Sequence, residues 1–157
     1  MIQSRIIGTG HYLPEKILTN KDLEKFMDTT DEWIRQRTGI SQRHVVEKGQ
    51  GSSDVAAPAA LMAIKNAGVD PKDIDLIVCG TTSPDHIFPT TGCVVQAKIG
   101  ASNAAAYDVN AACSGFVYAL ATADAFIKTG RYKNVLTIGV DVASSYLNYE
   151  RRETAVL

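Results

Sequence analysis

The sequence predicts an α/β fold built on a largely parallel sheet covered on both faces by helices. Two short runs, Asp75–Gly80 (DLIVCG) and Asn134–Val140 (NVLTIGV), are nearly continuous in apolar residues, as strands buried on both faces are. Around them lie segments whose apolar residues recur three and four apart, the period of helices that bury one face. Strand-like and helix-like segments also alternate, the order required by parallel strands with crossover helices. At 157 residues, with no internal repeat and no low-complexity linker, the chain reads as one domain, 1–157, able to bury a sizeable core.

Ile2–Thr9 reads as a first strand, broken by Gly8 and Gly10. The paired glycines resemble the start of a dinucleotide fingerprint, but position 13 is Leu where G-x-G-x-x-G needs glycine. Thr19 or Asn20 can cap a helix over Lys21–Met27, with Leu23, Phe26 and Met27 on one face. Thr29 or Thr30 can cap the next helix, Thr29 with Glu32 fits a capping box, and Gly39 stops it. Trp33 and Arg37 stand one turn apart there and point the same way. By themselves they read as a core tryptophan and a solvated arginine. Residues 43–54 (RHVVEKGQGSSD) read as a polar surface loop. Ser52 or Ser53 opens a helix through Asn66, ended by Gly68, in which Pro58 predicts a later start or a bend. After the strand Asp75–Gly80, a loop (TTSPDHIFPTTG) leads to a helix from Thr90 or Thr91 through Ile99.

The stretch Ala104–Gly130 organises the rest. It reads as a buried strand (Ala104–Val109), a small-residue turn (Asn110–Ala112) and a long helix that opens at Cys113 and ends at Gly130. Phe116, Leu120, Ala123 and Ile127 are the expected buried face. A thiol at a helix N-terminus sits where free N–H groups and the macrodipole favour negative charge, and a thiolate is the attacking form of cysteine. Free cysteines are also common packing residues, so geometry alone leaves both readings open. Asn134–Val140 is another buried strand, and residues 143–157 follow without a clear stop.

Composition narrows the function. Hydrophobic residues make up 45% and charged residues 21%, ordinary for a soluble globular protein. A net charge of −1 and no basic tract argue against nucleic acid. The N-terminal apolar run is too short for a signal peptide and no segment is long enough to span a membrane, so a cytoplasmic protein is expected. The three cysteines, Cys79, Cys93 and Cys113, match no C-x-x-C or zinc spacing and predict neither a metal nor a disulfide framework. Cys79, in an apolar strand, and Cys93, in a helix, read as packing residues.

The run N-A-A-C-S-G-F after a strand resembles the active-site elbow of the thiolase superfamily, in its β-ketoacyl-acyl-carrier-protein synthase III branch. The blocks IIGTGHYLPE, TTDEWIRQRTGI, LIVCGTTSPDHIFP and LTIGVD occur in that family's order, so the resemblance runs the length of the chain. It implies a thiolase-like fold, of which this chain is the N-terminal half of a duplicated αβαβα architecture. It implies an acyltransferase that initiates type II fatty-acid synthesis. Acetyl, or another short acyl group, passes from CoA to Cys113 and then condenses, with loss of carbon dioxide, with malonyl-acyl-carrier protein. No cofactor is implied, because the CoA thioester is a substrate.

The same resemblance puts Trp33 and Arg37 at the nucleotide end of CoA. Arg152 is a further CoA contact, with Arg151 and Thr29 as weaker matches. Phe88 is the residue that family dimers donate into the partner's acyl pocket, so a homodimer is expected. Ala143 stands where the family often has a larger side chain facing that pocket, which implies room for primers longer than acetyl. The family's catalytic histidine comes from its second half, so His11, His44 and His86 are assigned to structure or surface.

Length is the departure. In the family the catalytic histidine and asparagine, and the glycine-rich loop giving the second oxyanion donor, belong to a C-terminal half. Another core strand follows the segment matching TAVL. Two readings result. In one, the C-terminal half is supplied by another chain or lies outside this sequence. In the other, the chain is a non-catalytic acyl- or CoA-binding or interaction module. A specialised-metabolism ketosynthase of the superfamily is a further alternative. The Trp33/Arg37 block argues against a hydroxymethylglutaryl-CoA synthase or a plant-type polyketide synthase. The absence of G-x-S-x-G argues against a serine hydrolase.

Overall fold

The computed structural model describes residues 2–149 and 151–157. Its strands are β1 (Lys16–Thr19), β2 (Gln42–Val45), β3 (Leu76–Gly80), β4 (Ala105–Val109) and β5 (Val135–Gly139). Its helices are α1 (Asn20–Leu23), α2 (Asp31–Thr38), α3 (Ser52–Ala67), α4 (Thr91–Ile99), α5 (Gly115–Lys128) and α6 (Arg152–Ala155). The chain divides into two compact units, residues up to Tyr12 with Gln50–Asp141, and Leu13–Gly49 with Val142–Leu157.

The first unit is the predicted α/β body. Its sheet has the order β4-β3-β5, all parallel, with Leu76 opposite Ala105 and Val135 and Gly80 opposite Val109 and Gly139. Every residue of the central strand β3 is buried, because helices cover both faces. Alternation sorts the side chains. Ile77, Cys79, Leu136 and Ile138 pack with Ala56, Ala60 and Ile64 of α3 and Val95 and Ile99 of α4. Leu76 and Val78 pack on the other face with Ala119 of α5, joined by Tyr107, Phe126 and Val135. The result is a three-layer α/β/α sandwich.

Carboxylates, one of the helix's own and others from elsewhere in the chain, hold the helix starts. Gly51 N–H donates to Asp54 (2.9 Å) and Ser53 N–H to Asp85 (3.0 Å), so the first donors of α3 are satisfied. That helix begins at Ser52 and runs on through Pro58 rather than starting after it. At α4 the N-cap Thr90 makes no side-chain cap bond. Asp108, on β4, instead accepts from the N–H groups of Thr91 (2.8 Å) and Gly92 (2.7 Å).

The structure corrects three expectations in this unit. Ile2–Thr9 is not a strand: it joins no ladder among the described residues and packs against α3. A Cβ on Gly8 or Gly10 would lie 2.3 or 2.1 Å from a carbonyl oxygen of α3, which is how close that approach is. The helix after β4 does not open at Cys113, because Ala112–Ser114 form a 3₁₀ turn and α5 proper starts at Gly115. Its buried stripe is Gly115, Ala119 and Ala123, whereas Phe116 and Leu120 stay 46% and 38% exposed. The small stripe lets the helix lie close to the sheet. The larger residues then point into a cleft beside it.

In the second unit β1 and β2 pair antiparallel, Lys16 opposite Val45 through Thr19 opposite Gln42. β2 therefore lies partly inside the stretch expected to be loop. Four residues with a single partner carry too weak a period to read. Thr19 and Asp22 form a capping box at α1, which ends at Leu23 instead of running to Met27. Of the expected face Leu23 is buried and Met27 packs on the core, but Phe26 is 53% exposed. Thr30, not Thr29, caps α2 by accepting from Trp33 N–H (3.1 Å), and Gly39 ends it in the left-handed conformation. Leu23, Ile34 and Val156 form this unit's core with Met27, Trp33, Ile40 and Tyr149 packed on it. No helix among the described residues is long and apolar enough to cross a membrane.

Candidate functional site

Cys113 is the one exposed cysteine among the described residues. β4 brings the chain to the sheet edge, Ala112 reverses it, and α5 carries it away. Ala112 has φ 47°, the left-handed region that a residue with a Cβ rarely occupies. Ser114 closes the turn, donating its N–H (3.1 Å) and its hydroxyl (2.7 Å) to the Ala111 carbonyl. The first turn of α5 holds no acidic residue and no side chain caps its N-terminus. The other thiols are placed for packing. Burial pushes the Cys79 thiol far up from its ordinary range, and Cys93 is half-buried against the Ala106 carbonyl (3.4 Å). All three cysteines are free.

Cys113 lines a cleft of about 600 Å³ within the first unit. Arg5–Gly10 and Val135–Asp141 supply much of its wall, with alanines of α3 and Phe116 and Leu120 of α5 completing it. Phe88 belongs to the same unit but projects from the loop between β3 and α4. It is 87% exposed and its neighbour Ile87 97%, next to the cis Phe88–Pro89 bond. The loop's start is fixed: Asp141 accepts from Thr82 N–H (2.7 Å) and from the Thr82 hydroxyl (2.7 Å).

The second unit brings together Trp33, Arg37 and Arg152. The Arg37 guanidinium lies 4.2 Å and that of Arg152 4.7 Å from the centre of the Trp33 ring. Arg152 also donates to the Asp28 carbonyl (3.0 Å). Among the described residues neither guanidinium is paired with a carboxylate, so both remain available to an anion. Trp33 is half-buried on the unit's core, so the core reading and the exposed-ring reading each describe one side of it. Thr29, one turn before Trp33, has a buried hydroxyl oxygen with no hydrogen-bond partner among the described residues, a rare state that invites one. Arg151 is exposed at the N-cap of α6 without a cap bond, and Ala143 is exposed in a 3₁₀ turn.

His11 and His86 are exposed, and His44 makes a 2.6 Å contact between Nδ1 and the Pro14 carbonyl. No group of acidic, histidine and cysteine side chains suited to a metal occurs among the described residues. Two residues escaped the sequence reading, Asp108 and Asp141. A lone acid inside the apolar run AAYDV was the available signal for Asp108. For Asp141 there was none beyond its place after a strand.

Residues 107–157 match the family described as 3-oxoacyl-[acyl-carrier-protein] synthase III. A protein of Caldanaerobacter subterraneus named beta-ketoacyl-[acyl-carrier-protein] synthase III is 51% identical over 99% of this chain and 47% of its own length. One of the same name from Xanthomonas campestris is 54% identical over 99% of this chain and 48% of its own. The crystal structure of 3-oxoacyl-[acyl-carrier-protein] synthase III from Aquifex aeolicus superimposes with a TM-score of 0.93 at 48% identity, over 98% of this chain and 49% of that one. The priming β-ketosynthase of the R1128 polyketide pathway also reaches 0.93, at 32% identity, over 98% of this chain and 46% of that one. The chain thus spans about half the length of the relatives it matches.

Proposed function

We propose that this chain, 51% identical over 99% of its residues to a protein named beta-ketoacyl-[acyl-carrier-protein] synthase III, carries that enzyme's acyl-accepting half-site. The Cys113 thiolate attacks the carbonyl of a short acyl-CoA, forming the S–acyl bond as the C–S bond to CoA breaks and CoA leaves as its thiolate. The backbone N–H of Cys113 is one donor for the oxyanion formed on the way. Trp33, Arg37 and Arg152 receive the nucleotide end of CoA, the ring by stacking and the guanidiniums by pairing with phosphate. Thr29 supplies its unpaired hydroxyl on that side. The acyl group then condenses with malonyl-acyl-carrier protein, with groups from the other half of the assembly stabilising the enolate formed by decarboxylation. The reaction uses no resident cofactor. Phe88, at an exposed loop tip, is the contact offered to a second copy, and Ala143 leaves space for a longer primer.

The observation that carries this reading is an exposed thiol on a strained strand-to-helix elbow, in a chain whose relatives bear the synthase name. Denaturing intact-mass spectrometry after incubation with acetyl-CoA tests it. The expected result is one acetyl adduct mapping to Cys113. No adduct on the parent chain, with CoA still bound, would support the binding-module reading and overturn the catalytic one. Specialised metabolism is the runner-up, since a polyketide-priming enzyme shares the fold at 32% identity.

A further inference from the structure

The first turn of α5 rests on a part of the sheet that has no side chains. On the α5 face β3 presents Leu76, Val78 and then Gly80, while β5 presents Val135, Thr137 and then Gly139. Both rows shrink to glycine where the helix begins. Gly80 and Gly139 are also register partners, side by side in adjacent strands. A Cβ on Gly80 would lie 2.4 Å from the carbonyl carbon of Gly115 and 2.8 Å from the amide nitrogen of Phe116. A Cβ on Gly139 would lie 2.8 Å from Cβ of Phe116. The contact at Gly80 is main chain against main chain, with no room for a methyl group.

Cys113 hangs between two points that are both referred to β3. On one side Val109 ends β4 opposite Gly80, and its carbonyl accepts from Thr81 N–H (3.2 Å). On the other side Gly115 sits on Gly80. The intervening residues include Ala112 with its positive φ, so the span has little slack. We infer that the Gly80/Gly139 pair is the positioning device for Cys113. It sets the height of the first turn above the sheet, and through that turn the direction of the thiol. Its meaning for catalysis rests on Cys113 being the acyl acceptor.

The two glycines are unequal. A methyl on Gly80 meets main chain, which no side-chain rotation relieves, so the first turn has to rise by about 1 Å to reach ordinary contact. A methyl on Gly139 would lie 2.8 Å from Cβ of Phe116, an atom that ring rotation does not move, so the turn has to shift there too, but by less than at Gly80. The grading G80A above G139A is therefore part of the inference.

The test compares two reagents on the full chain, with modification mapped to each cysteine. Both reagents react by in-line displacement, but iodoacetamide is small enough to reach the thiolate from many sides. Oxidised pantetheine is long and bulky and forms a mixed disulfide, releasing pantetheine thiolate, only where the thiol points to open space, so it reports direction. For G80A the ratio of the pantetheine rate to the iodoacetamide rate at Cys113 is expected to fall about tenfold, and for G139A about threefold. Cys79, buried in the native fold, reports unfolding by becoming labelled. An unchanged ratio in G80A with Cys79 still protected would overturn the inference. If G80A unfolds, G139A decides by the same ratio. Acetyl transfer from acetyl-CoA is scored separately on the parent chain. Failure there removes the catalytic reading and leaves the ratio to judge the glycine pair.

Discussion

Under the proposed function, Cys113→Ala removes the acyl acceptor and little else. The side chain is exposed, so stability should stay within about 0.5 kcal/mol of the parent in urea unfolding while the acetyl adduct disappears. An Ala variant that still acquires acetyl would assign the chemistry to another residue. The same logic applies to Arg37 and Arg152, whose packing is confined to the Trp33 face and, for Arg152, one carbonyl. Each substituted by Ala should weaken CoA binding about fivefold, as a lost exposed charge or ring contact of about 1 kcal/mol implies. Isothermal titration with CoA reads this directly, and equal affinity in both variants would detach the cluster from the ligand. These residues were legible in the sequence as positions, and the structure adds how they group. The one-turn spacing of Trp33 and Arg37 put them on one side of a helix. That Arg152 joins them from over a hundred residues away is a tertiary fact no local period carries.

Elements were legible where their signal was internal and lost where it came from a partner. β3 and β5 announced themselves by apolar runs, and α2 and α3 by their caps. β1 and β2 did not, since each is four residues whose identity is the other strand. α4 shows the same division: its start was read at Thr90 or Thr91, but the acceptor for its first N–H groups is Asp108 on β4. Asp108→Ala leaves those two donors without a partner, and should cost about 1–2 kcal/mol by chemical denaturation. A loss near zero would mean that water replaces the carboxylate. The α5 stripe failed for a related reason. Periodicity finds large apolar residues, whereas the sheet here is met by Gly115, Ala119 and Ala123.

For the molecule as a whole, acid stability follows from its depressed carboxyls. Lys98, at 2.6 Å, and the Gly51 N–H hold Asp54 below the usual carboxylate range. The Asn20 amide and Arg35 do so for Asp31, and Lys25 and Thr19 for Asp22. A carboxyl lowered in the folded state stabilises it fully above the unfolded value of about 4 and loses that contribution as pH falls through the folded one. The urea midpoint should therefore be level from about pH 5 to 8 and decline below about pH 4. In Asp54→Asn the decline should be shallower. An identical acid limb in the variant would remove Asp54 from the account.

The cluster around Trp33 also makes the molecule self-reporting. Trp33 is the sole tryptophan of the chain and lies in the second unit, whereas the first holds Tyr12, Tyr107, Tyr118 and Tyr132. Emission excited at the red edge of the absorption band therefore comes from the second unit alone. Far-ultraviolet dichroism is dominated by the long helices α3 and α5 of the first. Superimposable melting curves from the two signals would show a single cooperative transition, and separated ones two transitions, without attaching any dye.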